Sequence, residues 1–157
     1  MEVLVTKIGN QLLSQSALLA TAESCTGGWI AKLVTDIAGS SRWFDRGFVT
    51  YSNGAKTDML NVEEQLLSEW GAVSTQVAKA MAEGALKNSR ATYSVSVTGI
   101  AGPGGGSEDK PVGTVCFGWS KKDQDTVVEK KIFSGDREEI RFQSASYALS
   151  KLDELFF

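Results

Sequence analysis

"ALLATAESCTGGWIAKLVTDIAG", residues 17–39, carries the strand, the turn and the helix from which the fold is read. Residues 17–24 are short, apolar and strand-like. Trp29, Ile30, Leu33, Val34 and Ile37 then recur at helical spacing, and Gly39 supplies a stop. Between them lies ESCTGG, residues 23–28, which sets an acid, the candidate nucleophiles Ser24 and Cys25, and a glycine pair at a strand-to-helix corner.

Outward from this unit the same units recur. Upstream, Leu4, Ile8, Leu12 and Leu13 predict a helix over 3–13. Downstream, WFDRGFVTYS (43–52) alternates as a strand, and 55–71 reads as short helices stopped by Gly71. Ser74 caps a small-residue helix over 74–90. ATYSVSVTGI (91–100) is a β-branched strand that runs into a loop with six glycines between 99 and 113. GTVCFGWSK (113–121) and DTVVEKKIFSG (125–135) predict an antiparallel hairpin. Asp136 and Glu139 form a capping box for a last helix, whose apolar face holds Ile140, Ser144, Tyr147, Ala148, Leu152 and Leu155. The order αβαβααβββα predicts a mostly parallel sheet with helices on both faces and at least one antiparallel strand. No repeat or linker interrupts it, so 1–157 is expected to form one domain.

The composition removes whole mechanisms. The chain has no histidine, so Ser-His-Asp and Cys-His arrangements are impossible and a catalytic zinc site lacks its usual ligands. Any general base must be Lys, Asp, Glu, Tyr or a terminus. Two cysteines make no disulfide framework and fit a reducing compartment. A net charge of -3 without a basic stripe argues against nucleic acid or an anionic membrane as partner. Lys121, Lys122, Lys130 and Lys131 read as a solvated strand edge. The opening MEVLVTKIGN has no signal-peptide pattern, and no apolar run reaches the ~20 residues of a membrane span. The expected location is the cytoplasm. Association into a homodimer or larger homo-oligomer is left open.

In open α/β sheets, sites gather beyond the carboxyl ends of the parallel strands. Three polar turns are predicted there: ESCTGG, TYSNGAK (50–56) and VTGIAGPGGG (97–106). With the helix expected to begin around Thr26 to Gly28, its free first-turn N–H groups can hold an anion or an oxyanion, and Gly27 and Gly28 admit a ligand to the backbone. Ser24 is then the candidate nucleophile; the plainer reading is a helix cap. Lys56 is the candidate base if its site lowers its pKa, with Tyr51 relaying a proton or orienting it; the plainer reading is a solvated lysine. Cys25, pointing opposite to Ser24 if the strand alternates, reads as buried structure. Thr98 and Gly99 offer donors at the third strand end, and Arg137 or Arg141 can pair with a phosphate. The text matches neither G-x-S-x-G, nor S-x-x-K, nor a Walker loop.

The stretches TAESCTGGWIAKLVTDIAGSS, FVTYSNGAK, SVTGIAGPGGGSEDKPVGTV and FSGDREEIRFQSASYAL cover nearly the whole chain. In this order they resemble the C-terminal domain family of the competence/damage-inducible protein CinA, and most closely its stand-alone nicotinamide-nucleotide amidohydrolases. The resemblance implies a three-layer α/β/α sandwich with a mixed, mostly parallel five-stranded sheet. It implies hydrolysis of the carboxamide of nicotinamide mononucleotide to nicotinate mononucleotide and ammonia, in pyridine-nucleotide salvage, with no cofactor and no metal. It suggests Ser24 as nucleophile, activated by Lys56 and Tyr51. Thr26, Gly27, Gly28, Thr98, Gly99 and Arg141 are the expected substrate contacts.

Two other readings compete. A non-catalytic nucleotide-binding module acting in competence or the DNA-damage response needs the phosphate contacts but neither Ser24 nor Lys56. A magnesium-dependent phosphate-ester or pyrophosphate hydrolase needs clustered carboxylates near the glycine loop, for which Glu23, Glu108 and Asp109 are the candidates.

Overall fold

The computed structural model describes residues 1–157. Helix α1 (Glu2–Ser14) leads to strand β1 (Leu19–Glu23), helix α2 (Trp29–Thr35), a 3-10 turn (Ser40–Arg42) and strand β2 (Phe44–Val49). Three helices follow: α3 (Asn53–Leu60), α4 (Glu64–Trp70) and α5 (Thr75–Lys87). Strands β3 (Tyr93–Gly99), β4 (Thr114–Lys121) and β5 (Val127–Ile132) then lead to α6 (Arg137–Phe156).

The sheet order is β2-β1-β3-β4-β5. β1 pairs in parallel with β2 and β3, while β4 pairs antiparallel with β3 and β5. Four strands therefore share one direction and β4 alone opposes them, as the hairpin predicted. One face carries α1, α2 and α6 over a core that includes Ile8, Leu19, Val34, Val95, Trp119 and Leu149. The other carries α3, α4 and α5 over a smaller core around Ala20, Ala22, Leu60, Val77 and Met81. The architecture is the three-layer α/β/α sandwich expected.

β1 is buried at every residue, because it has a strand on each side and helices on both faces. α5 approaches the sheet closely. The Ser94 and Ser96 hydroxyls donate to the carbonyls of Ala82 and Ala78 at 2.7 and 2.6 Å, and Gly118 lies under the Ala78 carbonyl. The alanines of α5 are thus an adaptation to a short interlayer distance.

Two boundaries differ from the sequence reading. α2 starts at Trp29 and ends at Thr35, shorter than predicted at both ends. Gly27 and Gly28 have φ of +61° and +100°, so both form turn rather than helix. α3 begins earlier than expected, at Asn53, because the Ser52 hydroxyl accepts from the Ala55 N–H at 3.0 Å and caps it there. Lys56 consequently lies in the first turn of a helix. No helix is long and apolar enough to cross a membrane.

Candidate active site

Strand alternation decides which way each residue of the ESCTGG turn faces. Ala20 and Ala22 belong to the α3–α5 side, whereas Leu19 and Cys25 belong to the α6 side. Ser24 continues the first set, and its N–H donates to Val97 at 2.9 Å, extending the sheet ladder by one residue. Its hydroxyl thereby meets Lys56, which α3 delivers from the same side. Lys56 Nζ lies 2.9 Å from Ser24 Oγ, 2.9 Å from the Thr50 carbonyl and 3.3 Å from the Tyr51 carbonyl. The lysine is 1% exposed.

Burial pulls the Lys56 pKa below the ordinary lysine value, since the ammonium form loses water it cannot fully replace. Its three partners suit the neutral amine. Two N–H bonds go to the two carbonyls, which leaves the lone pair to accept from the Ser24 hydroxyl. In the ammonium form all three N–H bonds donate, Ser24 included. The site can therefore take a proton from Ser24 without moving a heavy atom.

Cys25 has the opposite character. Burial pushes its thiol up to about 12, against the smaller opposing influence of Arg141 and Lys56. It packs in the core cluster of the α6 side. A thiol so placed stays protonated and inert at neutral pH.

The turn is held from behind by two charged side chains. The Glu23 carboxylate accepts from Thr26 Oγ1 at 2.7 Å and from the Ile30 and Ala31 N–H groups at 2.8 and 3.0 Å. It occupies the N-terminus of α2, so the free helix amides expected there are already engaged. Arg141 donates from Nε to the Cys25 carbonyl and from Nη2 to the Thr26 carbonyl, both at 3.0 Å. The N–H groups of Cys25, Thr26 and Gly28 find no acceptor within the chain.

A cleft of about 300 Å³ opens beside the dyad. Ser24, Tyr51, Asn53, Lys56, Thr98 and Arg137 line it, together with Gly99, Gly102, Gly104 and Gly105 of the glycine-rich segment. All three predicted turns meet here. Thr98 is fixed by donating to the Ala72 carbonyl at 2.8 Å. At Gly99 a Cβ would come within 2.8 Å of Val115, so no larger residue fits without displacing β4. The N–H groups of Gly102, Gly104 and Gly105 donate to nothing within the chain. A larger hollow, about 490 Å³, opens at the far end of the sheet and contains none of these residues.

The predicted residues thus divide. Ser24, Tyr51, Lys56, Thr98 and Gly99 line the cleft; Thr26, Gly27, Gly28 and Arg141 do not. Tyr51 enters the dyad through its main-chain carbonyl, not its phenol. The exposed ring instead accepts at its hydroxyl from Arg137 Nη2, 3.1 Å away, and Arg137 Nη1 donates to the Gly102 carbonyl at 2.6 Å. Arg137 is therefore the arginine at the cleft, whereas the sequence reading makes Arg141 the substrate contact. Asn53 had no signal beyond its place in TYSNGAK. No group of three or more Cys, Asp or Glu side chains converges in a metal-holding arrangement. Glu23 faces α2, and Glu108 and Asp109 are exposed on the glycine loop.

Residues 1–156 match the model of the CinA C-terminal domain. The chain is 54% identical over 150 residues to nicotinamide-nucleotide amidohydrolase PncC of Escherichia coli strain K12, covering 96% of this chain and 91% of that protein. It is 49% identical to a putative competence-damage inducible protein of Symbiobacterium thermophilum, of which it spans 37%. The crystal structure of competence/damage inducible protein CihA from Agrobacterium tumefaciens superposes with a TM-score of 0.95 at 47% identity, covering 98% of this chain and 94% of that one.

Proposed function

Since the chain belongs to the CinA C-terminal domain family, we propose that residues 1–157 form one amidohydrolase domain. It cleaves the carboxamide of nicotinamide mononucleotide with Ser24 as nucleophile and Lys56 as base, within pyridine-nucleotide salvage. The observation that carries this reading is the 2.9 Å contact between a buried lysine amine and the Ser24 hydroxyl. The name of the E. coli relative supplies the substrate class.

Lys56 accepts the Ser24 proton as Oγ attacks the carboxamide carbon. The oxyanion that forms is met by the N–H of Cys25, a turn residue that borders the cleft and whose N–H has no other acceptor. Collapse of this intermediate breaks the C–N bond, and the Lys56 ammonium returns its proton to the departing nitrogen, which leaves as ammonia. Water then attacks the Ser24 ester, again giving a proton to Lys56, and the carboxylate product departs as Ser24 regains its hydrogen. The Tyr51 carbonyl orients the amine during both steps. Arg137 and the free N–H groups of the glycine segment hold the phosphate, while Gly27 and Gly28 shape the turn. No step calls for a metal or a cofactor.

Ammonia release tests this reading directly. After exhaustive chelation, the protein is expected to turn over nicotinamide mononucleotide well and nicotinamide riboside or free nicotinamide poorly. A charge-assisted phosphate contact is worth roughly 1.5–3 kcal/mol, or about one to two decades. Equal efficiency on mononucleotide and riboside would remove the phosphate site. Loss of activity on chelation that magnesium restores would favour a metal-dependent hydrolase.

A further inference from the structure

We propose that Asn53 is a specificity-determining residue whose side-chain amide holds a ribose hydroxyl of the nucleotide; this rests on the amidase reading above. Asn53 is the first residue of α3 and Lys56 follows it by three, so the two share one face of that helix. That face meets the cleft: Lys56 Nζ reaches the Ser24 hydroxyl, and Asn53 lines the same space. Lys56 is buried, whereas Asn53 is exposed. Asn53 also borders a second hollow of about 310 Å³, beside Gly54, Thr57 and Glu64. It therefore stands at the rim. With the carboxamide carbon at Ser24 Oγ, the rim is where the sugar comes to lie.

The chemistry of the cleft points the same way. A phosphate and an oxyanion only accept hydrogen bonds, but a ribose hydroxyl must also give one. Arg137 and the free N–H groups of Cys25, Gly102, Gly104 and Gly105 can only donate. The carbonyls of Thr50 and Tyr51 are occupied by Lys56, and that of Gly102 by Arg137. No Asp or Glu borders the cleft. The Ser24 hydroxyl is engaged with Lys56, the Thr98 hydroxyl donates to Ala72, and the Tyr51 hydroxyl accepts from Arg137. Of the nitrogen- and oxygen-bearing side chains there, only that of Asn53 makes no hydrogen bond within the chain. Its Oδ1 can accept from one hydroxyl while its Nδ2 donates to the neighbouring one.

Local structure gives no other reason for asparagine at this position. Asparagine at a helix start commonly serves as the cap. Here Ser52 fills that role, its Oγ accepting from the Ala55 N–H at 3.0 Å. Inside the helix asparagine is one of the weaker formers.

Wild type, Asn53→Ala and Asn53→Leu are compared on nicotinamide mononucleotide and on the two analogues that each lack one of its ribose hydroxyls. Ammonia release is read beside the rate at which a fluorophosphonate labels Ser24, which needs no nucleotide. Because Asn53 is exposed before substrate binds, its bond replaces one to water and is worth a single neutral hydrogen bond, about 3- to 10-fold. Both variants are expected to lose that factor in kcat/KM on the mononucleotide, mostly through KM, with labelling rate and pH profile unchanged. On one analogue wild type should already be down by the same factor, and the variants should lose nothing more. A loss of equal size on all three substrates overturns the proposal, as does wild-type kcat/KM in both variants. So does a matching fall in labelling, which would place Asn53 in the packing of the dyad. If wild type releases no ammonia, the substrate reading fails, and calorimetric titration of the same three nucleotides decides Asn53 alone. Weaker binding of the mononucleotide by both variants, with no such difference for one analogue, supports the proposal; equal binding, or none, overturns it.

Discussion

Lys56 concentrates the physical tension of the molecule in one side chain, because a buried amine is useful as a base only at a cost in stability. Its lowered pKa requires turnover to rise with pH through an apparent pKa below the ~10.4 of free lysine. Lys56→Arg should be nearly as inactive as Lys56→Ala, about 10²-fold or more down in kcat, since guanidinium stays protonated. A variant Lys56→Arg with most of its kcat would make the residue an electrostatic contact instead. Stability gives an independent check. Between the folded and unfolded pKa values the unfolded chain holds a proton that the folded one lacks, so wild-type stability gains as pH rises through that window. Urea unfolding of Lys56→Met beside wild type should therefore shift in favour of wild type as pH rises toward the ~10.4 of free lysine. At this scale, candidates were legible where chemistry is scarce: without histidine, a serine and a lysine at strand ends stood out. Orientation was not. Arg137 and Arg141 are one turn apart on the same face of α6, so their places along its axis decide that Arg137, at its first residue, reaches the cleft and Arg141 reaches the turn at Cys25 and Thr26. Tyr51 contributes a carbonyl to the dyad, which no side-chain reading could show.

The elements matter through the atoms they hand to the site. β1 delivers Ser24, and α3 delivers Lys56 against it, so the packing of α3 controls the dyad. Gly84 of α5 faces the end of α3 so closely that a Cβ there would collide with the Leu60 carbonyl. Ala normally stabilises a helix interior over Gly by about 1 kcal/mol. Here Gly84→Ala should instead destabilise by about 1–3 kcal/mol and lower kcat, because the helix bearing Lys56 must shift. A more stable, fully active Gly84→Ala would show that α3 is not pinned this way. Element order and type were legible from hydrophobic period and caps: Ser74 and the Asp136–Glu139 box stand where read. The start of α2 was not, because Glu23 caps it from seven and eight residues upstream, a contact without local sequence signal.

At the scale of the whole molecule, strand order does what no single segment can. β1 lies between β2 and β3 and is parallel to both, so their carboxyl ends finish side by side and three polar turns form one cleft. Both Ser24 and Cys25 border the cleft, but the same alternation puts the Ser24 hydroxyl against Lys56 and packs the Cys25 side chain in the core of the α6 side. That separation is the central claim, and one measurement addresses it: ammonia release from nicotinamide mononucleotide by wild type, Ser24→Ala and Cys25→Ala, each verified as folded. Wild type should release ammonia. Ser24→Ala should lose nearly all turnover, on the order of 10⁴-fold or more as for nucleophiles that act as a unit with their base. Cys25→Ala should keep substantial turnover at some cost in stability. A folded Cys25→Ala that is dead beside an active Ser24→Ala would contradict the account.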